Sequence, residues 1–255
     1  MNILRNFCKA IFSLYAFIVF LLLMFLLFPF AVIASFFGRI KGGNFIYKIC
    51  RLWADIFMLL TFIYHKNIFE YPKASNHAVV FVFNHISYMD IPILMKTFRR
   101  QPIRILAKAE MSKVPVFGFI YRQATVMVWR ENTAARAKSL MQLKSVLKKN
   151  ISIVIAPEGT FNTTHQPLKE FYDGAFKVAI ETQTPIQPVI FLDAYNRLHY
   201  KSIFSFTPGR SRSVFLQEVP VTGYSVQDVK KLKEQVYNEM QSALIRYRAA
   251  WIKPQ

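Results

Sequence analysis

The chain has 255 residues, with 33 Lys and Arg against 14 Asp and Glu, a formal net charge of +19. Hydrophobic residues make up 53% of it and charged residues only 18%, with 25 Phe, which is too apolar for an ordinary soluble domain. Such a positive balance admits nucleic acid, anionic lipid or an acidic protein as partner; no nucleic-acid module is recognisable and the cations stand beside an apolar segment, so membrane phospholipid is the reading and nucleic acid is set aside.

The first feature in chain order is Ile11 to Phe37, twenty-seven positions without a charge. As one helix it is about 40 Å long, more than a hydrocarbon core of about 30 Å requires. It is too long for a signal-peptide core, and no small-residue cleavage pattern follows it. Pro29 stands where it would break the run in two. Arg5 and Lys9 precede the run; Arg39, Lys41, Lys48 and Arg51 follow it. Two arrangements are open. The run spans, and the heavier downstream charge leaves the remaining chain in the cytoplasm, at the inner membrane. Or it lies in one leaflet as half of a helical pair, with Leu52 to Tyr64, too short to span and carrying Asp55, as the other half. Residues 1–66 are expected to form the membrane-binding segment and 67–255 one α/β domain, with Asn67 to Asn76 a polar connection. Cys8 and Cys50 suggest no disulfide framework and fit a reducing compartment.

Val79 to Phe83 is a short apolar run suited to a strand buried on both faces. It ends in Asn84-His85, and Asp90 follows. Ser87 and Asp90 have capping-box spacing, which predicts a helix from Ser87. Five positions apart within one helix, His85 and Asp90 would point about 140° away from each other. With the histidine on the turn and the acid in the first helical turn, the carboxylate reaches back to the ring. That fixes the tautomer and leaves the other nitrogen as a base. The plainer alternative is a satisfied turn histidine beside a capping aspartate.

Arg104 to Ala107 predicts a strand, Val114 to Tyr121 a short helix or turn, and Ala124 to Trp129 a strand ending at Arg130. Thr133 to Lys149 has helical spacing, with Leu140, Leu143, Val146 and Leu147 on one face and basic residues solvated on another. Ile151 to Ala156 is a second buried strand, ending in Pro157-Glu158-Gly159-Thr160. Taken alone, this is an ordinary turn; beside the His/Asp turn it completes a site, because open α/β sheets bind ligands outside the carboxyl ends of their strands. Asp173 to Thr182 predicts a helix, Ile186 to Leu192 a buried strand and Val214 to Leu216 an edge strand. Ser225 to Trp251 opens on a capping box, Ser225 and Asp228, and repeats apolar residues at helical intervals. The fold class expected is α/β: a mixed, largely parallel sheet flanked by helices, behind an N-terminal apolar helical segment.

Asn-His-x-x-x-x-Asp at Asn84 to Asp90, followed by Pro-Glu-Gly-Thr at Pro157 to Thr160, resembles the glycerolipid acyltransferase family. Two weaker blocks appear in order: Lys108-Ala109-Glu110 through Val114-Pro115-Val116-Phe117-Gly118 to Arg130, and Thr184-Pro185-Ile186-Gln187-Pro188. The resemblance covers roughly Val79 to Phe191. It favours the in-leaflet helical pair, and it implies transfer of an acyl group from acyl-CoA or acyl carrier protein to the sn-2 hydroxyl of 1-acyl-glycerol-3-phosphate (lysophosphatidic acid), giving phosphatidic acid. His85 would be the general base, held by Asp90. Asn84, Glu158, Gly159 and Thr160 would bind substrate, with Glu158 on the acceptor's hydroxyls and the backbone near Gly159 facing the reacting carbonyl. Lys108 and Arg130 would meet the phosphate. Relatives usually carry Arg directly after Pro-Glu-Gly-Thr, thought to bind phosphate; here the residue is Phe161. Either Lys108, Arg130 or Lys169 replaces it, or the acceptor is another lysolipid, such as a lysophospholipid or a lyso-ornithine-type aminolipid.

No Gly-x-Ser-x-Gly elbow occurs, which predicts direct attack without an acyl-enzyme. Neither His-Glu-x-x-His nor a Cys/His cluster is present, and phosphate-loop and dinucleotide glycine patterns are missing, so no metal or cofactor is expected. A non-enzymatic basic membrane-binding protein is the alternative of another class.

Overall fold

The computed structural model describes residues 2–71, 77–129 and 133–252. The apolar run folds as one 34-residue helix, α1 (Asn2–Ser35), and Pro29 lies inside it without ending it. Packing continues on both sides of the proline: Phe20 meets Trp53 edge-on at 5.2 Å and Phe28 meets Phe119 at 5.6 Å, while Ala31 and Ala34 beyond it are buried. A tight corner, Gly38–Gly42, then reverses the chain into α2 (Gly43–Leu60). Gly42 is required at that corner, since a Cβ there would lie 2.3 Å from the Ala34 carbonyl oxygen. The helical pair was expected to continue through Leu52 to Tyr64; instead α2 starts earlier and stops at Leu60.

The next element is a strand, β1 (Ile63–Phe69), in a stretch whose end was expected to be a polar connection. His65, Lys66 and Asn67 hide the strand from pattern reading. His65 and Asn67 nonetheless turn inward, where Nδ1 of His65 meets the Ser211 hydroxyl at 3.0 Å and the Asn67 amide donates to the carbonyls of Lys96 and Thr97. Burial pushes the His65 imidazole down to about 4, so it sits neutral among these partners.

The remaining elements are β2 (Val80–Phe83), α3 (Asp90–Thr97), β3 (Ile103–Lys108), α4 (Phe117–Ala124), β4 (Thr125–Val128), α5 (Thr133–Leu147), β5 (Ser152–Ile155), α6 (Gly174–Glu181), β6 (Ile186–Phe191), α7 (Ala194–Arg197), β7 (Gly209–Phe215) and α8 (Val229–Arg246). Among the described residues seven strands form one sheet in the order β1-β7-β6-β2-β5-β3-β4. Five of them run parallel; β7 pairs antiparallel with β6 and parallel with β1. Strand β7 was expected at an edge. It lies one place in, because β1 pairs along its whole length and takes the edge.

Every residue of β2 and β5 is buried, as a parallel sheet covered on both faces demands. Helices α2, α3 and α4 pack together toward one face, with α1 outside them; α5, α6 and α8 pack over the other. The buried Arg104 fastens the α1–α2 corner to the sheet. Its guanidinium donates to Asn44 Oδ1 and to the carbonyls of Arg39 and Ile40. The expected capping box of Ser225 and Asp228 is formed and starts the turn that leads into α8.

Leu143 on α5 is fully buried while Met141 on the same helix is 69% exposed. Leu143→Ala is therefore expected to cost about 2–5 kcal/mol of stability, and Met141→Ala to stay within about 0.5 kcal/mol. Thermal unfolding of the two detergent-solubilised variants checks this.

Candidate active site

Because β2, β5, β3, β4 and β6 are parallel, the residues following them gather along one edge of the sheet. Asn84 and His85 follow β2 there, and Glu158, Gly159 and Thr160 follow β5. The Asn84 side chain behaves as an extra rung of the ladder. Its Oδ1 accepts from the Phe191 N–H at 2.7 Å and its amide donates to the Phe191 carbonyl at 3.1 Å, so the ends of β2 and β6 are pinned. At 1% exposure its polar atoms are turned into the fold.

The next residue, His85, is the candidate base. His85 Nδ1 lies 2.7 Å from Asp90 Oδ2, and the same oxygen accepts the N–H groups of Ile86 and Ser87 at 2.9 and 3.0 Å. The Asp90 side chain is 1% exposed and that of His85 28%. A buried carboxylate facing Nδ1 makes it the protonated nitrogen of the neutral ring. Nε2 is left with its lone pair. Helix α3 begins at Asp90 and not at Ser87 as its spacing predicted. Half of the capping box forms, the Ser87 N–H on the acid. The other half does not, because the Ser87 hydroxyl accepts from the Met89 N–H and donates to the Leu198 carbonyl.

Glu158, expected on the acceptor's hydroxyls, is 2% exposed. One oxygen accepts the His85 N–H at 2.9 Å and the other the Lys169 N–H at 3.0 Å. Burial pushes its carboxyl up to about 7, against the pull of those two amides and of His85. The Asn162 N–H donates to the His85 carbonyl at 2.7 Å, so the histidine's backbone is held on both sides by the loop after β5. Gly159 has φ +69, a conformation that favours glycine, and its N–H reaches the Ala156 carbonyl at 3.0 Å. The Thr160 hydroxyl accepts from Lys169 Nζ at 2.6 Å.

Lys108 ends β3 on the same edge, exposed, two strands from β2 and thus about 10 Å along the sheet. Arg130 lies outside the described residues. The structure therefore joins His85, Asp90, Asn84 and Glu158 in one hydrogen-bonded unit. It sets Gly159 and Thr160 beside that unit and leaves Lys108 further along the edge. One neighbour, Asn162, had little signal in the sequence, and another, Phe161, stood out there only as a departure from the family's usual Arg. Asn162 looked like one polar loop residue among many. Phe161 packs its ring 4.5 Å from the His85 ring, with Tyr88 edge-on to it at 4.9 Å. Among the described residues no group of three or more His, Cys, Asp or Glu is arranged to hold a metal ion.

A family model described as Acyltransferase matches residues 54–192, more than half of the chain. The chain belongs to that family, the glycerolipid acyltransferases. Similar proteins include the 1-acyl-sn-glycerol-3-phosphate acyltransferase of Cocos nucifera, 30% identical over 156 residues, which are 60% of this acyltransferase and 48% of that one. The 1-acyl-sn-glycerol-3-phosphate acyltransferase beta of Homo sapiens is 26% identical over 167 residues, 65% and 59% of the two chains. The match thus spans about half to three fifths of these relatives. In fold, the acyltransferase resembles the crystal structure of the 1-acyl-sn-glycerophosphate acyltransferase PlsC from Thermotoga maritima. The TM-score is 0.73 over 99% of this chain and 100% of that one, at 21% identity.

Glu158→Gln replaces one accepting oxygen by an NH₂ facing an N–H. One buried amide loses its partner, at an expected cost of about 1–3 kcal/mol. Denaturant unfolding measures it, and an unchanged midpoint would contradict the bridging role.

Proposed function

We propose that this chain is a membrane-bound 1-acylglycerol-3-phosphate O-acyltransferase. It moves a fatty acyl group from acyl-CoA or acyl carrier protein to the sn-2 hydroxyl of 1-acyl-glycerol-3-phosphate and yields phosphatidic acid. The observation that carries the reading is the 2.7 Å contact of His85 Nδ1 with a buried Asp90, on a side chain that is itself 28% exposed. Nε2 takes the proton of the acceptor hydroxyl as its oxygen attacks the thioester carbonyl. When the intermediate collapses, the C–S bond breaks and the imidazolium returns the proton to the departing thiolate. Asp90 stabilises the imidazolium formed between the two steps. Attack is direct, in a ternary complex, with no acyl-enzyme.

Both donors are strongly acidic, and a net charge of +19 speeds their encounter at low salt. Lys108, Arg130 and Lys169 are the candidate cations for the acceptor's phosphate, and Gly159 and Thr160 border the reacting carbonyl. The α1–α2 segment seats the protein on the inner membrane, with the α/β domain, taken from the start of β1 and not from residue 67, on the cytoplasmic side. Support for that seating comes from Asn6–Ser35, a helix long and apolar enough to cross a membrane, with a mean hydropathy of 3.0.

Phe161 favours a second reading of the acceptor. An aromatic ring 4.5 Å from His85, at the position where relatives usually carry Arg, suits a lysolipid whose headgroup is not a bare phosphate, such as a lysophospholipid or a lyso-ornithine-type aminolipid.

Purified protein, labelled palmitoyl-CoA or palmitoyl acyl carrier protein, and a panel of lyso-acceptors test both readings. Turnover on lysophosphatidate is expected; turnover only on an aminolipid or a choline lysolipid establishes the second reading. His85→Ala is expected to lower the rate by about 10²–10⁴-fold, and Asp90→Asn by less. An acyl group trapped covalently on the protein during turnover would overturn direct attack.

A further inference from the structure

We propose that the loop between α7 and β7, residues 198–208, is a third bilayer contact. Its Ile203–Phe204 tip sits in the same leaflet as α1, and its first residue, Leu198, is bonded to the turn that carries His85. The proposal rests on the membrane seating of α1 and goes beyond the helical pair.

The tip is a short 3-10 turn, Ile203–Ser205, whose Ser202 hydroxyl accepts the Phe204 N–H at 3.1 Å. It is therefore a shaped projection, yet it holds Ile203 and Phe204 at 60% and 56% exposure, with Lys201 exposed beside them. Two residues on, Phe206 is buried between Phe12 and Phe57, and its N–H donates to the Ser13 hydroxyl at 3.0 Å. The loop is thus stitched to the first half of α1, where Leu14 and Phe17 are more than half exposed. Its far end pairs with the start of β1, where the Gly209 N–H meets the Phe62 carbonyl at 2.9 Å. Phe62 is 56% exposed, and Leu59 and Leu60, just before it, are also exposed. Exposed apolar side chains therefore lie on α1, at the end of α2 and on the loop, the three segments that these bonds join. A lipid surface suits it, since the apolar side chains carry an adjacent cation for the headgroups.

Topology adds the functional consequence. Strand β6 runs parallel to β2, so the loop that follows it leaves the same edge of the sheet as His85. One hydrogen bond joins the two, from the Ser87 hydroxyl to the Leu198 carbonyl. A lysolipid leaving the leaflet at this point meets the protein on the sheet edge that carries His85, and the loop's seating bears on the turn that holds His85 and Asp90.

The test places an NBD label at position 204, as Phe204→Cys in a Cys8→Ser, Cys50→Ser background, and a control label at Phe17→Cys. Vesicles of phosphatidylglycerol and phosphatidylethanolamine carrying doxyl-labelled lipid are added. Blue-shifted, quenched emission at both positions is expected. Quenching at 17 but not at 204 overturns the loop proposal alone; no quenching at 17 overturns the seating on which it depends. In parallel, Ile203→Glu with Phe204→Glu is expected to raise KM at least several-fold for 1-oleoyl-glycerol-3-phosphate presented in vesicles. Turnover of monomeric 1-hexanoyl-glycerol-3-phosphate should be unchanged. Equal losses on both acceptors would contradict the bilayer role.

Discussion

A carboxylate taken out of water must find donors or lose its charge. Asp90 solves this by gathering three N–H groups on one oxygen: two from the backbone of Ile86 and Ser87 and one from the imidazole of His85. The turn between β2 and α3 has the shape that lets these donors converge. The geometry of the His85–Asp90 pair is a consequence of satisfying a buried carboxylate, since the histidine is one of the groups that satisfies it. The other oxygen, Oδ1, is buried with no hydrogen-bond partner among the described residues, so the whole hydrogen-bonding load falls on Oδ2.

A second buried carboxylate, Glu158, does for the sheet edge what Asp90 does for the turn. By holding the N–H of His85 and that of Lys169, it binds the loop after β5 to the residue after β2. Asn84 performs the corresponding service toward β6. His85 is therefore placed by three strands at once: its own backbone on β2, an acid from the β5 loop, and a neighbour locked to β6. Rigid support from strands is what a proton transfer needs, since the base must stay within hydrogen-bond reach of the hydroxyl it deprotonates.

The side that carries the apolar helix α1 is built by the same economy of parts. Arg104 ties the α1–α2 corner to the start of β3, at the edge opposite the site, while Phe206 and Ser13 tie the early part of α1 to the catalytic edge. α1 thus runs from one edge of the sheet to the other, and its early part lies against the edge that carries His85. Phe161 and Tyr88 extend that apolar character to the imidazole itself.

The buried strands, the amphipathic α5, the capping box of α8 and the His85–Asp90 turn were all legible in the amino-acid order. Each is written in residues a few positions apart, and local spacing is what periodicity, capping and a short turn depend on. Strand β1 was not legible, because His65 and Asn67 are polar and become acceptable in a sheet only through Ser211 and the carbonyls of Lys96 and Thr97. Nor was the engagement of Glu158, whose partner His85 is 73 residues away, the packing of Phe161 on the imidazole, or the closeness of the 198–208 loop to Ser87. The sequence by itself determined the family, the candidate His85–Asp90 pair and which segments are apolar. Only the tertiary structure decided which polar atoms are consumed in holding the fold and which face a substrate, because that depends on partners brought together by sheet order.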